Sequence, residues 1–148
     1  MTKNEIIPQL PYGKEFLFVD GIDEVSETGI TGNYQFKEDE YFYASHFKDN
    51  PVTPGVILIE CMAQIGLVCL GMYLVSNIDN KPNSDCNKIA LSSSEVDFYM
   101  PVYPKEKVTV VSEIEYFRFN KLKCKVKMFN SKNELVCKGI LSGMLLSK

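Results

Sequence analysis

Hydrophobic and polar positions divide this chain into stretches of different rhythm. Two runs rich in β-formers come first, FLFVDGIDEVS over residues 16–26 and GITGNYQFK over 29–37, with Thr28-Gly29 between them. They predict two strands and a turn. Pro8 and Pro11 leave residues 1–15 irregular. Residues 38–54 hold aromatics without a sustained period, and Asp49-Asn50-Pro51 and Thr53-Pro54 are breaker signals. That stretch reads as a structured loop, a common carrier of function. From Gly55 to Val75 the chain is apolar almost throughout, GVILIECMAQIGLVCLGMYLV. It predicts a helix of about 30 Å, at roughly 1.5 Å per residue. SNIDNKPNSDCNK, residues 76–88, is polar and is expected to end it. The rhythm then becomes period two, predicting strands at 89–99, 107–119, 122–129 and 134–146, with 100–106 as an interruption. The third of these is the cleanest: Leu122, Cys124, Val126 and Met128 alternate with Lys123, Lys125 and Lys127. Asn120-Lys121 is the expected hairpin turn before it, and residues 130–133 the loop after it.

Two strands, one helix and four strands predict an α+β domain spanning residues 1–148. A helix apolar on every side needs cover all round, so a curved antiparallel sheet is expected to wrap it. Gly66 and Gly71 would let strands come close to the helix. The same run is long enough to span a membrane. Against a span, Glu60 and Gln64 lie one turn apart on one face, the flanks carry neither a basic cluster nor an aromatic belt, and the strands need something to cover their apolar faces. No membrane association is expected.

Composition narrows the function classes. The chain has 148 residues, 45% hydrophobic and 24% charged, with a formal net charge of −3. Nothing in that balance draws it to nucleic acid or anionic lipid. The start, MTKNEIIPQLPYG, lacks the basic and apolar regions of a signal peptide, so a cytoplasmic protein is expected. The five cysteines form no C-x-x-C pair and there is one histidine, which predicts reduced buried thiols and no metal site.

Candidate chemistry gathers in SHFKDNPVTPGVILIECMAQ, residues 45–64. It holds the single histidine, His46, a Pro54-Gly55 pair where loop becomes helix, and an acid, Glu60, in the apolar run. A charge is costly to bury, so Glu60 needs a reason. A neutral imidazole suits a base near pH 7. A helix start offers free N–H groups to a developing oxyanion, and Gly55 lets a ligand approach them. Burial of Glu60 would raise its pKa, which suits an acid. The plainer readings stay open: His46 and Glu60 as hydrogen-bonded structural groups, and Gly55 as a permissive turn residue.

Three stretches carry a family resemblance: LPYGKEFLFVDGI (10–22), YFYASHFKDNPVTPGVILIECMAQIG (41–66) and, more loosely, VDFYMPVYPKEKV (96–108). The middle one runs aromatic, three residues, His-Phe, three residues, Pro, two residues, Pro-Gly-Val, then Glu, then Met-Ala-Gln. It resembles the hot-dog-fold dehydratases that act on 3-hydroxyacyl chains carried by acyl carrier protein. The resemblance implies a hot-dog fold and the dehydration of a (3R)-3-hydroxyacyl chain to a trans-2-enoyl chain, in fatty acid or related polyene or polyketide synthesis. It implies His46 as base, Glu60 as its acidic partner, Gly55 and Val56 as the N–H donors to the thioester carbonyl, and Pro54 and Gln64 as support. It implies no metal or free cofactor, the substrate riding on the phosphopantetheine of acyl carrier protein. It also implies a homodimer, or a trimer of such dimers, with His46 and Glu60 meeting across a two-fold interface.

The chain departs from that pattern at several places. Tyr12-Gly13-Lys14 stands for a His-Arg-Tyr type segment, and Lys48-Asp49 for Pro-Gly. Thr53 stands where an apolar residue is usual, and Pro104-Lys105-Glu106 lacks a glycine after proline. None removes a catalytic group. A thioesterase on the same fold and a non-catalytic acyl-binding partner subunit are the alternative functions. The lysines of 121–127 are expected to be a solvated strand face, with a docking surface for the acidic carrier as the second reading.

Overall fold

The apolar run is the axis of the molecule, and the period-two stretches wrap it. The computed structural model describes residues 1–79 and 88–146. Three 3-10 turns come first, Lys3–Glu5, Ile7–Gln9 and Lys14–Phe16. Strands β1 (Gly21–Val25) and β2 (Gly29–Gln35) follow. The helix comes next, as α1 (Gly55–Ala63), a π-helical segment (Gln64–Cys69) and α2 (Leu70–Asp79) in unbroken succession. Strands β3 (Ile89–Phe98), β4 (Lys107–Arg118), β5 (Lys121–Phe129) and β6 (Leu135–Leu145) complete the chain. They form one six-stranded antiparallel sheet in the order β1-β2-β4-β5-β6-β3.

Alternation decides which face of the sheet meets the helix. Along β5, Leu122, Cys124, Val126 and Met128 are buried while Lys125 and Lys127 face out. Val108 and Val110 of β4 and Leu141 of β6 complete the inner layer, opposite Met62, Ile65, Leu67 and Leu70 of the helix. The most apolar window of the helix is 78% buried in the protein itself, so its hydrophobicity builds a core. Gly66 and Gly71 sit where sheet residues come close to the helix. A Cβ on Gly66 would lie 3.1 Å from Ser112 Cβ, and one on Gly71 would fall 2.3 Å from Ile89 Cδ1. The π segment leaves a helical carbonyl available, and the buried Ser112 hydroxyl donates to Gly66 O at 3.0 Å.

Several expected boundaries shift. The first strand is Gly21–Val25, shorter than 16–26. Phe18 N–H donates to Gln64 Oε1 at 2.8 Å and Phe16 O accepts from Gln64 Nε2 at 2.9 Å, so this backbone bonds a helix side chain instead of a neighbouring strand. The helix continues past Val75 to Asp79, because Ser76 and Asn77 are tolerated once the preceding turns are packed. Residues 80–87 of the expected polar loop, Cys86 among them, lie outside the described residues. The β4–β5 turn is Phe119-Asn120, both with positive φ (53° and 61°), and Lys121 already begins β5. Residues 1–15 are not formless; the 3-10 turns put Ile6 wholly into the core.

Candidate active site

His46 sits in the turn-rich segment between β2 and α1, and main-chain bonds hold it there. His46 N–H donates to Phe42 O at 3.0 Å, and Val52 N–H donates to His46 O at 2.9 Å. The imidazole Nδ1 lies 2.8 Å from Val52 O. A carbonyl can only accept, so Nδ1 carries the proton and Nε2 of the neutral ring keeps its lone pair. Phe47 stacks on the ring with centroids 4.1 Å apart, and the His46–Phe47 peptide is cis. The half-buried imidazole therefore has a fixed tautomer and an available basic nitrogen.

The same cleft reaches the helix start. His46, Val52, Thr53, Gly55, Leu58 and the Phe98–Pro101 turn line a cleft of about 370 Å³. Pro54 is the N-cap, and no side chain caps the helix. Its carbonyl accepts from Ile57 and Leu58 N–H at 2.9 and 3.2 Å. Gly55 and Val56 occupy the first turn, where N–H groups have no partner within a helix. The helix dipole adds partial positive charge there. A Cβ on Gly55 would lie 3.2 Å from the Phe98 ring, so glycine keeps this approach open. Val56, the next residue along, is 72% exposed.

Glu60 does not join them within one chain. It is half-buried further along the helix and is absent from the lining of the His46 cleft. Gln64, wholly buried, donates through Nε2 to Glu60 Oε1 at 3.1 Å. The same amide binds Phe16 O and Phe18 N–H, so one side chain ties the acid to the N-terminal segment. Burial pushes the Glu60 carboxyl above its ordinary pKa, and the Gln64 hydrogen bond opposes that. Tyr12 lies nearby: burial first, then the Glu60 charge, drives its phenol well up. Sequence reasoning named His46, Pro54, Gly55, Val56, Glu60 and Gln64. It had no signal for the Val52 carbonyl, a main-chain group. Phe98–Pro101 stood inside the 96–108 resemblance without a role.

The cysteines and the lysines of β5 lie outside this cleft. Cys61, Cys69, Cys124 and Cys137 are free and buried. Burial pushes Cys124 up to about 11 and Cys137 up to about 12, so these thiols are unreactive near neutrality. Among the described residues no group of three His, Cys, Asp or Glu side chains could hold a metal. Lys123 and Lys125 each stand 3.7 Å from Glu115 on the outer face, surface pairs that keep contact with solvent and carry small energetic weight.

The model of the FabA-like domain matches residues 10–140. The chain belongs to the FabA-like family. A protein of Ehrlichia canis named 3-hydroxyacyl-[acyl-carrier-protein] dehydratase FabZ is 28% identical over 132 residues, 86% of this chain and 85% of that one. The protein of that name from Acinetobacter baylyi is 38% identical over 84 residues, 57% of this chain and 55% of its own. The one from Clostridium perfringens is 39% identical over 70 residues, 47% and 50%. The chain thus spans about half the length of several curated relatives it matches. Among solved structures, the dehydratase heterocomplex ApeI:P from Xenorhabdus doucetiae superposes with a TM-score of 0.77 at 13% identity, over 95% of this chain and 90% of that one. A hypothetical thioesterase with coenzyme A from Streptococcus pneumoniae superposes at 0.63 and 12%, over 86% and 85%. At such identities the likeness is one of fold, and the fold is the hot-dog fold.

Proposed function

We propose that this FabA-like chain dehydrates a (3R)-3-hydroxyacyl chain carried on acyl carrier protein to the trans-2-enoyl form. The observation that carries the proposal is the Nδ1 bond of His46 to Val52 O, which leaves Nε2 basic in a cleft shared with the uncapped helix start. A thioester carbonyl bound by the N–H groups of Gly55 and Val56 would lower the barrier to losing the adjacent proton. His46 Nε2 takes that proton. Glu60, biased toward its protonated form by burial, gives a proton to the 3-hydroxyl, which leaves as water. Gln64 orients the carboxyl, and Pro54 ends the loop at the helix start. The reaction uses no metal or free cofactor, and phosphopantetheine carries the substrate.

The separation of Glu60 from the His46 cleft supports a site completed by a second copy. Strand β3 is a ten-residue edge strand that, among the described residues, pairs only with β6. Phe98, Tyr99 and Val56 are exposed beside it. Pairing β3 with the same strand of a second chain would cover that edge and bring the partner's acid toward His46. The enzyme is proposed to work in the cytoplasm as such a homodimer.

The test is to incubate the protein with 3-hydroxyacyl and enoyl thioesters on carrier protein, following enoyl absorbance and free thiol separately. Interconversion without thiol release is expected. Thiol release would make it a thioesterase, and no turnover would make it an acyl-binding subunit.

A further inference from the structure

The segment that carries His46 is closed at its base by two hydroxyls. Tyr43 and Thr53 are 5% and 4% exposed, and the Tyr43 phenol lies 2.6 Å from Thr53 Oγ1. A buried hydroxyl is costly without a partner, and these two partner each other. Packing alone would be served as well by phenylalanine and valine.

The pair sits where it controls one peptide plane. The Val52–Thr53 peptide has its N–H on Val102 O at 2.8 Å. Its C=O accepts from His46 Nδ1 at 2.8 Å. Apart from the imidazole itself, one backbone bond, Thr53 N–H to Val102 O, and the Thr53 side chain therefore hold this peptide in place. Release Thr53 from Tyr43, and the plane can rock about its remaining bonds. The carbonyl that dictates the His46 tautomer would move with it. Burial pushes the Tyr43 phenol up to about 12, against a smaller lowering by the Thr53 bond, so it stays an uncharged hydroxyl at neutral pH.

We propose that Tyr43 and Thr53 are positioning residues for His46, their hydrogen bond fixing the Val52–Thr53 peptide so that the imidazole is held in its Nδ1–H tautomer. Neither residue needs to touch substrate for this. The kinetic part rests on the dehydratase reading; the structural part does not.

The sole histidine makes the test direct, because imidazole nitrogen NMR of the whole protein reports one ring. In the unaltered protein the neutral form should show protonated Nδ1 and bare Nε2. Thr53→Val removes the hydroxyl and keeps the shape. It should move the ring to a mixture of tautomers, and Tyr43→Phe should do the same. Thr53→Ser should restore the single tautomer. The double variant Tyr43→Phe/Thr53→Val leaves no orphaned hydroxyl, so it should regain most thermal stability while keeping the mixed tautomer. That outcome separates positioning from general support. On the enoyl assay, kcat should fall about tenfold in Thr53→Val with KM changed less than twofold, the pattern of a misplaced catalytic group. A folded Thr53→Val or double variant with an unchanged imidazole spectrum would overturn the proposal. An inactive unaltered protein would sink the dehydratase reading and leave the spectroscopic result to decide this one.

Discussion

The two halves of the candidate site are held by different kinds of structure. His46 is fixed by main-chain groups of an irregular segment: Phe42 O, Val52 N–H and Val52 O. Glu60 is held by a side chain, Gln64, in the regular helix at the core. The first arrangement sets which nitrogen is basic. The second sets how readily a carboxyl keeps its proton, because the helix supplies burial and the amide supplies one compensating hydrogen bond. Under the proposed mechanism a base needs direction and an acid needs a shifted equilibrium, and a loop would supply the one and a helix the other. The halves also open differently, since the cleft beside His46 contains Gly55 and not Glu60.

The largest effect should come from breaking either half outright. His46→Ala should cut dehydration about 100- to 10,000-fold, the range for a general base, with thermal stability nearly unchanged. Glu60→Gln should lose at least about 100-fold. Steady-state rates on a 3-hydroxyacyl thioester, read beside a melting curve, check both. Near-normal turnover in the His46 variant would remove it from the mechanism.

Whether the halves belong to different chains is the next question. Mixing inactive His46→Ala with inactive Glu60→Gln, under subunit exchange, should restore activity. Random exchange makes about half the dimers mixed, each with one intact site, so roughly a quarter of full activity is expected under a two-fold model. Exchange shown by mass labelling without recovery would mean that the pair acts within one chain, or is no pair.

How far each half could be read in advance follows from what held it. The fold was legible because its signal is periodic: the alternation of 122–129 and the apolar run from Gly55 reappear as β5 and the central helix. Glu60 and Gln64 were legible because a polar residue in such a run stands out. The Val52 carbonyl carried no residue signature, and neither did the bonding of Phe16 and Phe18 main chain to Gln64. Phe119-Asn120 was misread as Asn120-Lys121 because a bulky residue with positive φ runs against turn statistics. Main-chain hydrogen bonds and long-range partners decide such places, and pattern along the chain does not report them.

Gln64 tests the helix half on stability. Gln64→Leu fits the core but strands the buried Phe18 N–H and the part-buried Phe16 O, both bonded to the amide. Leaving such groups unpaired should cost about 3 kcal/mol. For a chain of this size that lowers Tm by roughly 6–12 °C. Differential scanning calorimetry reads it. A shift below that range would mean that the N-terminal segment finds other partners.

The smallest effect is the most informative about Glu60. Its carboxyl pKa is raised in the folded protein, first by burial and against the Gln64 bond. The folded state therefore holds that proton to higher pH than the unfolded chain does. The stability this contributes is fully present below the unfolded pKa and is lost as pH rises through the folded one. Glu60→Gln has no proton to lose, and its amide oxygen can still accept from Gln64. The Tm difference, variant minus unaltered protein, should be near its minimum at about pH 4. It should grow as pH rises and level off once Glu60 is ionised in the folded protein. Melting curves from pH 4 to 9 would locate that rise, and its midpoint would report the pKa available to the proposed acid. His46 gives a comparison from the other half, because its variant should not share this profile. A Tm difference flat across the range would mean that Glu60 is ionised alike in both states, and would leave the helix half without its bias toward an acid.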